Sequence, residues 1–165
     1  MTAKPLLVYQ HALADIPGTV AANNFLTVYN PVGSGRVQAA LQLNVSAYSV
    51  GATSVAASLL VYRITSAPTG GTLVNAEDVV RFNTLHPDPV SIVQIGNPSA
   101  SPVGNILVGI PPIISVGTGQ SANASFAPPG GASFLSLPGQ GLLFRAASGD
   151  TDQRWNIDYV WGEVA

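Results

Sequence analysis

The chain has 165 residues, of which only 6 are Lys or Arg and 8 are Asp or Glu, for a net charge of −2. An average soluble domain is about 25% charged; here 8% is charged and 47% hydrophobic, so the chain can bury a core yet lacks an ordinary charged surface. These values fit one domain, argue against nucleic-acid or membrane partners that need a basic face, and, with no cysteine, exclude disulfides, a thiolate nucleophile and a cysteine zinc site.

Met1 to Asn23 holds one short apolar run, Leu6-Leu7-Val8, too short for a signal peptide, and reads as an extended N-terminal arm. Phe25-Leu26-Thr27-Val28-Tyr29 is predicted as a strand that ends at the turn Asn30-Pro31-Val32-Gly33-Ser34-Gly35. Arg36 to Ala47 follows with a period of two. Val37, Ala39, Leu41, Leu43, Val45 and Ala47 share one face, and Gln38, Gln42, Asn44 and Ser46 the other. The two runs are expected to form a hairpin. Val50 to Ser58 is rich in small residues and fits a short helix or a loop equally.

Leu59 to Thr65 is apolar on both faces at its start, which places it centrally in a sheet; the turn Ala67-Pro68-Thr69-Gly70-Gly71-Thr72 ends it. Shorter strands are predicted at Val79-Val80-Arg81-Phe82, Val90 to Ile95 and Asn105 to Ile110. The apolar stretch Val103 to Ile114 is short of the roughly 20 residues a membrane helix needs, and Pro111-Pro112 breaks it. Gly117 to Gly131 reads as a long surface loop.

Ser133 to Leu137 and Leu142 to Ala146 flank the turn Pro138-Gly139-Gln140-Gly141. The closing strand, Arg154 to Glu163, sets Trp155, Ile157, Tyr159 and Trp161 on one face, with Asn156, Asp158, Val160 and Gly162 opposite. The pattern predicts an all-β fold: a single-domain antiparallel β-sandwich, jelly-roll-like, of about eight strands with long Gly/Pro-rich loops. The arm is expected over 1–23 and the sandwich domain over 24–165.

Chemistry is sparse. His86 stands beside Asp88 but between Leu85 and Pro87 in a loop, and no G-x-S-x-G elbow accompanies it. Asp150 and Asp152 resemble the opening of a calcium loop without its remaining ligands. Gly33-Ser34-Gly35-Arg36 leads into a strand, where a phosphate loop leads into a helix. No catalytic, metal or cofactor-binding residue is assigned. The stripe Trp155, Tyr159 and Trp161 fits a core face, a subunit interface or a stacking platform for a glycan or base; with Tyr9 and His11 of the arm these are the interface candidates.

Missing charge points to contact with other copies, because dispersed charge keeps monomers apart and interfaces are depleted in Lys, Glu and Asp. The series Leu26-Thr27-Val28-Tyr29-Asn30-Pro31, Gly33-Ser34-Gly35, Val61-Tyr62-Arg63-Ile64-Thr65, Gly70-Gly71-Thr72, Pro138-Gly139-Gln140-Gly141-Leu142 and Tyr159-Val160-Trp161-Gly162-Glu163 resembles small virion proteins of tailed bacteriophages, in particular the head decoration (cement) proteins. The resemblance covers about residues 24–164. It implies a non-enzymatic homotrimer on the capsid surface of the virion, bound to the major capsid protein. A tail- or head-fibre domain that binds a receptor or glycan shares the same strand pattern.

Overall fold

The computed structural model describes residues 6–17, 24–50, 55–115, 121–127, 134–148 and 152–165. Two six-stranded sheets, every pairing antiparallel, face one another as a β-sandwich. Sheet A contains β1 (Leu7–Pro17), β3 (Val37–Ser49), β6 (Val80–Arg81), β9 (Ser121–Phe126), β10 (Phe134–Ser136) and β12 (Gln153–Val164). Its order is β10-β3-β12-β1-β6, with β9 beside β10 on the same edge of β3. Sheet B contains β2 (Asn24–Asn30), β4 (Val55–Ile64), β5 (Thr72–Leu73), β7 (Ile92–Ile95), β8 (Pro102–Ser115) and β11 (Gln140–Ser148), in the order β5-β7-β2-β11-β4-β8. A single 3-10 turn, Ala76–Asp78, is the sole helical element among the described residues.

The expected all-β sandwich is what forms, and β4 is central as its two apolar faces require. Twelve strands are described where about eight were expected; three of them, β5, β6 and β10, are only 2, 2 and 3 residues long.

Four local expectations are corrected. The expected N-terminal arm enters the sandwich, because Leu7–Pro17 pairs along β12 from Leu7–Glu163 to Pro17–Arg154. The β2 and β3 runs do not form a hairpin: one lies in sheet B and the other in sheet A. A six-residue connection with Gly33 and Gly35 at φ +80° and +67° lets the chain cross between layers, which stacked sheets hold about 10 Å apart. Val55–Ser58 of the small-residue stretch is strand, paired with β8 and β11. Within the stretch read as a surface loop, Ser121–Phe126 pairs with β3, its Ala122, Ala124 and Phe126 packed against the core.

Alternation on β3 also changes phase midway. Its register with β12 runs Gln38–Glu163 and Ala40–Trp161, then Gln42–Val160 and Leu43–Tyr159, so Leu41 is an extra residue, a β-bulge. One extra residue rotates everything before it by one face. Gln38 and Ala40 therefore join Leu43, Val45 and Ala47 on the buried side.

The core is mainly aromatic on the sheet A side. Trp155, Trp161, Tyr9 and Tyr159 meet Leu26, Val28, Leu59, Val61, Leu142 and Phe144 from sheet B in one continuous cluster. Tyr159 stacks on Trp161 at 5.6 Å and receives Phe144 edge-on at 5.0 Å. Offset and edge-on pairs of this kind add about 0.5–1.5 kcal/mol each beyond the area they bury. On its outer side sheet B is also covered: Tyr29, Ile64 and Leu143 form a second buried cluster with Tyr62, Ile92 and Ala100.

Candidate functional site

The residues singled out as interface candidates lie within the protomer. Tyr9, Trp155, Tyr159 and Trp161 are each at most 1% exposed. They form the inner wall of the sandwich, so they have no surface to offer a neighbour or a sugar; His11 is half-buried on the same strand as Tyr9. Burial pushes the Tyr159 hydroxyl far above its ordinary value of 10.0.

His86 and Asp88 do not form a base–carboxylate pair. Asp88 pairs with Arg81 at 3.2 Å, and the His86 ring lies edge-on to Tyr9 with centroids 6.4 Å apart. Asp150 lies outside the described residues. Among the described residues no group of three or more His, Asp or Glu side chains converges on a metal-sized site.

Sequence reasoning missed a buried carboxylate. Glu163 is 0% exposed and continues the inward phase of Trp155, Ile157, Tyr159 and Trp161. It binds Arg36 at 2.8 Å and accepts N–H bonds from Val90 at 3.1 Å, Ser91 at 2.9 Å and the Trp161 indole at 3.4 Å. An ion this deep persists only when paired and hydrogen-bonded. Burial works against the Arg36 charge, but Glu163 outweighs it and raises the guanidinium above its usual range. Glu163 thus ties the end of β12 to the turn before β3 and to the segment before β7. The signal that finds it is the alternation itself, extended two residues past Trp161.

The outer face of sheet A is different. Four strands place Ala12, Asp158, Asn44 and Ser125 in one row, with Asn156, Ser46 and Asn123 in the next. Asp158 accepts hydrogen bonds from Gln10 at 2.7 Å and Asn44 at 3.2 Å. Asn44 in turn accepts from Ser125 at 2.7 Å and Gln42 at 3.0 Å, while Asn156 donates to Ser46 at 3.1 Å. Beside this ladder Asp15, in the left-handed region at φ +55° where Asp is tolerated, accepts from the Tyr48 hydroxyl at 2.6 Å and lies 3.5 Å from Arg154. The result is a face of amides and hydroxyls on which Asp158, Asp15 and Arg154 all have neighbouring partners.

The two edges of sheet A carry its apolar features. On one, β6 and the loop that follows it expose Val80, Phe82 and Leu85. On the other, where β3 bulges between β9 and β10, an apolar cleft opens under the stacked rings of Phe126 and Phe134, 5.9 Å apart.

The fold and these surfaces define an all-β, two-sheet sandwich with one polar face on which charges are few and paired. Comparison with protein-family models and with curated proteins finds no match for this chain.

Proposed function

We propose that the chain is a non-enzymatic virion structural protein, a capsid decoration (cement) protein that lies on the outer capsid surface as a homotrimer and stabilises contacts between capsomers. The observation that carries this reading is the outer face of sheet A. The charged side chains described on it, Asp158, Asp15 and Arg154, each have a partner on the same face, so a neighbouring subunit covering it leaves none of them unpaired. Sheet order supports the jelly-roll form. The orders β1-β12-β3-β9/β10 and β2-β11-β4-β8 interleave, so each of the β1–β2, β3–β4, β8–β9 and β11–β12 connections passes from one sheet to the other. Viral capsid and lectin domains use double-sheet jelly rolls, although a fold alone does not fix a function.

The test has two parts. Sedimentation equilibrium at micromolar concentration is expected to give three times the 16.9 kDa chain mass. Co-sedimentation with heads of the virus whose genome encodes the chain is expected to saturate, and Ser46→Lys, in the middle of the ladder, to abolish it with the fold intact. A monomer that ignores the heads overturns the reading.

A second reading, a tail- or head-fibre domain that binds a glycan, is favoured by the same ladder, since amides, hydroxyls and one carboxylate on one face match the hydrogen-bonding groups of a sugar. The buried tryptophans take no part in it. A glycan array with Asn44→Ala as the control separates the two.

A further inference from the structure

We propose that the end of the sandwich between β2, β3 and β10 is a binding site for internal water: at least one ordered molecule, held by the side chains of Gln38, Ser136 and Asn30, joins the two sheets beside the turn that crosses between them. The site lies inside one protomer and is independent of any assembly.

The backbone brings the three residues together. Gln38 and Ser136 are register partners on β3 and β10, so their side chains stand next to each other on one face of sheet A. That face is the inner one, since each of the two is only 1% exposed. Asn30, the last residue of β2 in sheet B, reaches across from the other layer. Its Nδ2 donates to the Arg36 carbonyl at 2.8 Å and to the Ser136 carbonyl at 2.9 Å. Gln38 is inside because the bulge at Leu41 turns the start of β3 by one face.

Four polar atoms of this cluster have no hydrogen-bond partner among the described residues: Gln38 Nε2 and Oε1, Ser136 Oγ and Asn30 Oδ1. All four are buried away from bulk solvent. Buried amides and hydroxyls are almost always paired, with protein or with ordered water, because an unpaired one costs more than a typical hydrogen bond gains. Glu163, the partner of Gln38 on its other side, does not meet the need, since its oxygens already accept from Arg36, Val90, Ser91 and Trp161.

The orphaned atoms define their ligand. It must both donate and accept, because the two amide oxygens only accept and the Gln38 nitrogen only donates. It must be neutral, because Gln38, Ser136 and Asn30 carry no charge and the neighbouring Glu163 is already paired with Arg36. It must be small, because none of the four atoms is open to solvent. Water meets all three conditions, and a buried water makes about three hydrogen bonds to groups of this kind. Bound here, it contacts sheet A through Gln38 and Ser136 and sheet B through Asn30.

Water–protein cross-relaxation NMR on the wild-type chain tests the site directly. The Gln38 side-chain amide protons are expected to show cross-peaks to water with the sign of a molecule that stays bound for longer than the protein tumbles. Gln38→Met keeps the length of the side chain, removes both amide atoms and reads the same question through the sign of its effect. With water satisfying the amide, the variant strips that water of partners, and the folded-to-unfolded ratio from urea unfolding is expected to fall about tenfold. With the amide unpaired, its removal relieves a cost and the ratio rises. No water cross-peak at Gln38, a rise in the ratio, or a crystal structure in which Gln38 bonds Ser136 directly with no water between them overturns the proposal. The wild-type measurement decides even where the variant fails to fold.

Discussion

Replacing Glu163 by glutamine keeps the shape of the side chain and removes its charge. Three N–H groups and the Arg36 guanidinium point at this carboxylate, which has no exposure to water. An amide offers one oxygen in place of two and turns an NH₂ toward donors, so either Arg36 and the Val90 N–H or the Ser91 N–H and the Trp161 indole lose their acceptor. Removing one partner of a buried ion pair costs about 3–5 kcal/mol. Arg36 is 19% exposed and can recover some hydration, which puts the expected loss at the low end, about 3 kcal/mol. At about 2–4 °C per kcal/mol for a chain of this size, the melting temperature should fall by about 6–12 °C. Urea unfolding followed by far-UV circular dichroism measures it. The double variant Arg36→Met/Glu163→Met should lose less than Glu163→Gln alone, because neither charge is then stranded. A loss below about 1 kcal/mol for Glu163→Gln, or a double variant worse than the single, refutes the argument that this ion pair is held by mutual compensation.

Other consequences are equally direct. Gly141→Ala should cost about 2–4 kcal/mol, since the added methyl would stand 2.5 Å from the Val28 carbonyl oxygen and 2.8 Å from the Tyr29 Cα, both backbone. Gly162→Ala meets the end of the half-exposed Leu6 side chain instead, which can swing away, so urea unfolding should show a loss of about 1 kcal/mol or less. His11 is held below its ordinary 6.5 by burial, with Asp78 opposing; the unfolded chain therefore takes up its proton first as pH falls below 6.5. Stability should drop from pH 6.5 downward through the folded value and be flatter there in His11→Gln, as read from melting temperature against pH. Both tryptophans are fully buried in one protomer, so their emission should be blue-shifted and shielded from acrylamide at nanomolar concentration as well as in any assembly. Quenching that appears on dilution would place them at an interface after all.

The sheets were legible in the sequence where one face is buried and the other is wet. On β12 the alternation matches the burial from Trp155 to Tyr159, beyond which Val160 on the opposite face is buried as well. Asp158, assigned by that alternation to the face away from the tryptophans, lies in the outer ladder. The bulge at Leu41 was not legible, because apolar Val37, Ala39 and Leu41 continue the pattern of Leu43 and Val45 without a break. Pairing at Ala40–Trp161 decides against them, and pairing is not local information. For β1 the difficulty was composition. Gln10, His11, Ala12 and Asp15 dilute the strand signal, while the strand is fixed by β12 at the far end of the chain. β9 hid in small residues, since Ala122 and Ala124 bury too little to stand out. The β2–β3 turn has hairpin chemistry in its Asn, Pro and Gly residues, but those residues serve an inter-sheet crossing equally well. Of the candidate site, the charge deficit was visible beforehand; the ladder that satisfies the remaining charges exists only once four strands are side by side.

The position of β12 between β3 and β1 has a consequence for synthesis. Among the described strands the one made last is the inner partner of the one made first, with Leu7 opposite Glu163. Until residues 153–164 emerge, β1 and β3 have no common neighbour, and Tyr9, Ala40, Leu43 and Val45 lack the aromatic side chains that cover them. Strand pairs so far apart in sequence close slowly, because chain entropy must be lost before the contact is gained. Sheet A therefore cannot close until β12 has emerged, however early β1 and β3 are made. A nascent chain stalled before Gln153 should remain protease-sensitive throughout β1, and one tethered some 40 residues beyond Ala165 should not.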